Sequence, residues 1–274
     1  MSLHYINQRK RGKVDICNIC KRLAPLSWDH VPPKGGIDLN PVEQVTILQH
    51  LAGNPEEQKP RISQNGVKYR TLCKHCNERL GHSYDPVINN FALINNFALG
   101  VGSILKSVME VPAIIHYRTQ PAILIRSILG HLLAAKGVID DVVVDQKIRE
   151  FLFDDQARLP EEIKIFYWIY PYREIVVIRD IVMPAVRGNF SQFGFFSGIL
   201  KYFPVAYLVC NLEQYEGLDE LTLYRDLKIE ETVEIPIRLT NTKHSAWPEM
   251  VDQENFMTGG WNLNSSVYAR PRKV

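Results

Sequence analysis

No stretch of this sequence stays apolar for long. The nearest approach to a membrane span, residues 91–105, is broken by Asn95, Asn96 and two glycines, whereas a spanning helix needs roughly 18 or more apolar residues in a row. Met1 to Arg11 is polar and basic and lacks the apolar centre of a secretion signal. Both absences lead to the expectation of a soluble, cytoplasmic protein. Cysteine is scarce, with five residues in 274, and in a reducing compartment such a set suits metal binding or packing better than disulfides. Net charge is nearly missing as well: 32 Lys and Arg against 30 Asp and Glu leave +2. That balance alone points to neither a nucleic acid nor a membrane.

What is present is an ordinary globular composition, 46% hydrophobic and 23% charged. A length of 274 residues suggests one large domain or two unequal ones. The charge is unevenly spread: residues 1–89 carry 13 Lys and Arg against 8 Asp and Glu, and the remainder carries 19 against 22. The basic end is the front.

Up to about Pro86 periodicity is weak and turn residues are common, and here lie four of the five cysteines and five of the eight histidines. The run Arg9-Lys10-Arg11-Gly12-Lys13 reads as a solvated arm. Asn40-Pro41 ahead of residues 42–48 predicts a short helix ending near Gly53. Gln64-Asn65-Gly66 predicts a tight turn into a strand over 67–72. Beyond Pro86 the composition changes. Residues 122–136 and 145–154 predict helices; 163–170, 175–181, 193–199, 205–210 and 232–239 are rich in Ile, Val, Phe and Tyr and predict strands. The tail, 261–274, rich in Asn, Ser and Arg, reads as loosely ordered. The class expected is α+β, divided into residues 1–89 and 90–274.

Cys17-Asn18-Ile19-Cys20 and Cys73-Lys74-His75-Cys76 are two Cys-x-x-Cys pairs. Each tight turn offers two thiolates, and two such turns suit one tetrahedral zinc ion. Four thiolates leave no open position for water, so the expected zinc is structural. The 52 residues between Cys20 and Cys73 exceed the usual ribbon spacing, so further structure is expected between the knuckles.

Between them stands Trp28-Asp29-His30-Val31-Pro32-Pro33-Lys34-Gly35-Gly36, and the second knuckle is followed by Asn77-Glu78-Arg79-Leu80-Gly81. In these features, taken in order, residues 14–86 resemble the HNH endonuclease superfamily. Its zinc-bearing members place an Asp-His or Glu-His pair soon after the first knuckle and an Asn or His just after the second. The resemblance implies a treble-clef-like ββα-metal fold in the first domain, a hairpin followed by a helix. It implies hydrolysis of phosphodiester bonds in DNA, with RNA left open, and a catalytic divalent ion, Mg²⁺ or another, beside the structural zinc. It further implies that His30 is the general base and that Asp29 and Asn77 hold the ion. Alternation along a strand agrees with this division, because it sends Asp29 and His30 to opposite faces.

One departure stands out. The superfamily's middle residue, an Asn or His in the hairpin that orients the base, has no counterpart among Lys68-Tyr69-Arg70-Thr71. Asn65 is the nearest candidate, and turn geometry explains it equally well. Asp85 could reach the metal or simply cap a turn. The competing reading is a non-catalytic zinc module that binds nucleic acid, with Lys10, Arg11, Lys34, Arg70 and Lys74 neutralising phosphates, or an interaction module stapled by zinc. Residues 90–274 show no Gly-rich phosphate loop and no acid-His cluster. They are expected to regulate the nuclease, set its specificity or pair two copies into a homodimer. HNH domains fused to unfamiliar partners resemble those of mobile elements and phage-defence systems.

Overall fold

The computed structural model describes residues 11–36, 40–51, 59–105, 112–137, 143–184, 193–211, 217–240, 242–249 and 265–272. In chain order the first elements are β1 (Val14–Ile16), β2 (Leu23–His30), β3 (Val42–Thr46), α1 (Ile47–Leu51), β4 (Arg61–Ser63) and β5 (Lys68–Cys73). Then come α2 (Lys74–Arg79), a π-turn over Leu80–Tyr84, α3 (Asp85–Leu105), β6 (Ile114–Thr119), α4 (Pro121–Ala134) and α5 (Val143–Phe153). The remaining strands are β7 (Lys164–Ile169), β8 (Ile175–Pro184), β9 (Phe193–Tyr202), β10 (Val205–Cys210), β11 (Asp219–Glu220), β12 (Val233–Arg238) and β13 (Val267–Pro271). The class is mixed α and β.

The strands form a three-stranded sheet β1-β2-β5, a two-stranded ribbon β12-β6, and an eight-stranded sheet ordered β11-β7-β10-β9-β8-β13-β3-β4. Both faces of the large sheet's centre are covered. On β7, Ile165, Tyr167 and Ile169 enter the main core, while Phe166 and Trp168 join a second cluster with Val176, Ile178, Ile199 and Leu208. Two buried faces explain why these strands read as unbroken apolar runs rather than alternating ones. Cys210 is buried in the second cluster.

Helix α4 is the hub. Every side chain on it except Ile123 is buried, which is the pattern of a helix enclosed on all sides. It lies against β5, α3, α5, β8 and β9. Gly130 lets α4 meet the π-turn closely: a Cβ there would stand 2.5 Å from a Leu80 methyl, which would have to shift. The main core is continuous from Cys17 and Leu72 through Leu129 and Leu132 to Tyr207 and Val209.

The structure changes three expectations. Residues 42–48 are not one helix: Val42–Thr46 is a strand, paired with β13 on one side and β4 on the other, and only from Ile47 does a helical turn follow. The tail is not loose throughout, because Val267–Pro271 forms β13 in the interior of the large sheet, between β8 and β3. The expected boundary near residue 89 falls inside α3, and β3 and β4, which precede it, belong to the large sheet.

Candidate metal centre and adjoining acid-histidine site

After β1 the chain makes a tight turn from Cys17 to Cys20, closed by Lys21 in a left-handed conformation (φ 58°). Lys21 N–H donates to the Cys17 carbonyl at 3.0 Å, and Cys17 N–H donates to that of Arg22 at 2.9 Å. The second turn arises because Cys73 ends β5 and serves as the N-cap position of α2, which sets Cys76 in the first helical turn. The four ligand sulfurs lie within 4.8 Å of one another. Cys20 Sγ and Cys73 Sγ are 3.7 Å apart, against about 3.8 Å for the edge of a tetrahedron with Zn–S bonds near 2.3 Å.

A hydrogen bond from the Cys76 thiol, aided by the Cys73 backbone N–H 3.3 Å from the sulfur, lowers the pKa of Cys17 against the effect of burial. The thiol of Cys76 is pushed up by the same pairing. These four residues can therefore hold zinc, and the donor set is that of a structural site.

The knuckle is tied to the hub. Asn18 donates from Nδ2 to the carbonyls of Leu133 (2.9 Å) and Lys136 (2.7 Å), and Thr71 Oγ1 donates to that of Ala134 at 2.5 Å. Leu133 and Ala134 end α4 and Lys136 follows it, so these bonds reach the helix end, where carbonyls lack a full intrahelical ladder. The turn at Lys34–Gly36 packs on α3 so closely that a Cβ at Gly35 would overlap the Asn89 amide.

Asp29 and His30 close β2. Asp29 is buried, while His30 is half-buried and paired in register with Lys68 on β5. Among the described residues, no partner reaches the buried Nε2 of His30. Burial, then the charge of Lys68 and that of Lys34, hold its pKa below the ordinary histidine value, with Asp29 pulling the other way. Asn77, on α2, donates to Ser27 Oγ at 3.1 Å and to the Trp28 carbonyl at 2.9 Å. Both bonds use the amide nitrogen, so the oxygen remains for a ligand. Asn65 lies exposed on the turn between β4 and β5, with Gly66 following at φ 69°. His75 and His82 are also exposed.

Sequence reasoning passed over His131. Its ring, fully buried on α4, places Nδ1 3.2 Å from Asp29 Oδ2 and Nε2 2.8 Å from Asp85 Oδ1. Ser127 Oγ donates to the same Asp85 oxygen at 3.3 Å. Burial works against charge on the imidazole, yet Asp85 and Asp29 outweigh it and raise the pKa to about 10. Asp85 is likewise raised by burial but lowered further by His131, and ends below the usual carboxylate range. One signal was available: a histidine in the middle of the apolar run Ile128-Leu129-Gly130-His131-Leu132-Leu133 must find polar partners once that run is buried.

Asp85 reaches this position because the helix changes phase just before it. The Asp85 N–H bonds to the Leu80 carbonyl, five residues back, in the π-turn. Pro86, lacking an N–H, could not have continued a regular ladder there.

Among the described residues, the cysteines alone bring three or more His, Cys, Asp or Glu ligand atoms this close together. Compared with known proteins, the chain matches no family, no curated protein and no solved structure.

Proposed function

We propose that the chain is a metal-dependent endonuclease of the HNH type, with DNA as its substrate and with zinc as the staple of its nuclease hairpin. The observation that carries this reading is the buried, unpartnered Nε2 of His30 beside Lys68 and Lys34, on the strand face opposite Asp29. A base must be neutral before it can take a proton, and burial and the lysines favour the neutral imidazole. The same lysines attract phosphate. Asp29 and the Asn77 oxygen would hold the divalent ion, which when bound would stabilise charge on phosphate and leaving oxygen. Two oxygen ligands suit Mg²⁺, which keeps several of its waters.

The test is incubation of supercoiled plasmid with the purified protein in Mg²⁺, Mn²⁺ or Ni²⁺, beside His30→Ala. Cleavage by the parent and none by the variant, at equal zinc content and DNA affinity, is the expected result. Cutting by His30→Ala at the parent rate overturns the assignment. The expected pairing of two copies through residues 90–274 is read by sedimentation of the same preparation.

A second reading, a nucleic-acid-binding zinc module without catalysis, has one observation in its favour: the Asp29 carboxylate is already engaged by His131. Binding of DNA with no cleavage in any of the three metals would select it.

A further inference from the structure

The hairpin carries an exposed aromatic that neither the zinc nor the acid-histidine pair uses. Trp28 is 52% exposed, the only tryptophan among the large hydrophobics left so open among the described residues. Its register position lies at a β-bulge between Ser27 and Asp29. The guanidinium of Arg70, on β5, lies 5.4 Å from the Trp28 ring centroid. Lys68 is next but one to Arg70, on the same side of the strand and opposite His30. An exposed indole ring thus stands next to a row of cations on one face of the hairpin. It is well suited to a ligand that is flat and aromatic on one part and anionic on another.

We propose that Trp28 and Arg70 form a stacking platform for one unpaired nucleobase, whose flanking phosphates are met by Lys68 and Lys34, so that the substrate is single-stranded or locally unpaired nucleic acid. This deepens the nuclease reading and rests on it for the neighbouring role of His30. In a duplex the base faces are covered by their neighbours, so an open indole has nothing to stack on. In a single strand every base offers a π-face, and stacking on an aromatic side chain is insensitive to sequence. Deoxyribose and ribose strands share this chemistry.

The experiment measures binding of fluorescein-labelled oligo(dT) and oligo(U) 20-mers and of a 20-base-pair duplex by anisotropy, without added divalent ion. The parent, Trp28→Ala and Trp28→Phe are compared, each checked for zinc content and secondary structure. The parent is expected to bind at least one of the single strands more tightly than the duplex, and indole emission should fall on binding. Trp28→Ala should lose about 5- to 150-fold for the single strand and little for the duplex, while Trp28→Phe retains most of the affinity. Single-strand affinity unchanged in Trp28→Ala, or a duplex bound as tightly as the tighter-binding single strand, overturns the platform. Cleavage is scored separately. Nuclease activity with no effect of Trp28→Ala on binding sinks the platform alone, and a Trp28-dependent preference without cleavage sinks the nuclease alone.

Discussion

Asp29 and His131 are 102 residues apart in sequence and 3.2 Å apart in the structure. Because Asp85 stands at the other ring nitrogen, and an ionised carboxylate only accepts hydrogen bonds, the imidazole satisfies both neighbours by carrying a proton on each nitrogen. One buried cation thus serves two carboxylates, one on the hairpin and one at the start of α3.

His131→Ala should therefore destabilise the protein by about 3–5 kcal/mol, the cost of leaving buried charge uncompensated. Urea unfolding followed by circular dichroism measures it. A loss under about 1 kcal/mol, a value ordinary for exposed pairs, would show that water replaces the ring and that the pairing holds nothing together.

Metal analysis should find about one zinc per chain. A structural zinc contributes on the order of 10 kcal/mol of binding free energy that is expressed as folding, so chelation should unfold the β1-β2-β5 sheet and free the end of α4 that Asn18 caps. The idea fails if a Cys73→Ser/Cys76→Ser variant lacks zinc yet keeps the parent's thermal unfolding curve.

A second buried charge cluster should contribute to the loss of stability in acid. Asp145, on α5, bonds to Lys136 and, at 2.6 Å, to Arg179. Burial raises its pKa, but the Arg179 and Lys136 charges outweigh it, and the folded value lies below the ordinary one. A depressed carboxylate contributes stability that is present above the unfolded pKa of about 3.9 and is lost as pH falls through the lower, folded value. Asp145→Asn should lower stability near neutrality and flatten its decline in acid. Urea midpoints taken between about pH 6 and 2 check this, and parallel curves for parent and variant would remove Asp145 as the cause.

A fragment of residues 1–89 should not fold by itself. It ends inside α3 and separates β3 from β13. It also strips Leu72, Leu80 and Ile88 of the core they share with α4. Dispersed amide resonances from that fragment in the presence of zinc would show that the hairpin is self-sufficient.

The sequence was most legible where a residue's role is decided by near neighbours. Two Cys-x-x-Cys turns announced the four-cysteine cluster that could hold a metal, and the runs 163–170 and 205–210 announced strands because both faces are buried. The helices over 122–136 and 145–154 were readable for the same local reason. Legibility fell where a distant partner decides. Val42-Glu43-Gln44-Val45-Thr46 suits a helix or a strand, and pairing with β13 makes it a strand. His131 is polar within an apolar helix, but its reason for being there lies on β2 and at the head of α3. The exposure of Trp28 beside Arg70 likewise depends on how β2 pairs with β5, which the local sequence does not state.

The place of β13 constrains how the protein can be made. Strand β3 leaves the ribosome early, yet its neighbour on the inner side, Val267–Pro271, is synthesised far later. Until then the edges of β3 and β8 that β13 will fill expose unpaired N–H and C=O groups, the kind of edge that invites pairing with other chains. Vectorial synthesis therefore leaves a gap in the large sheet that only β13 closes, and a ribosome stalled before residue 267 would display two such edges at once.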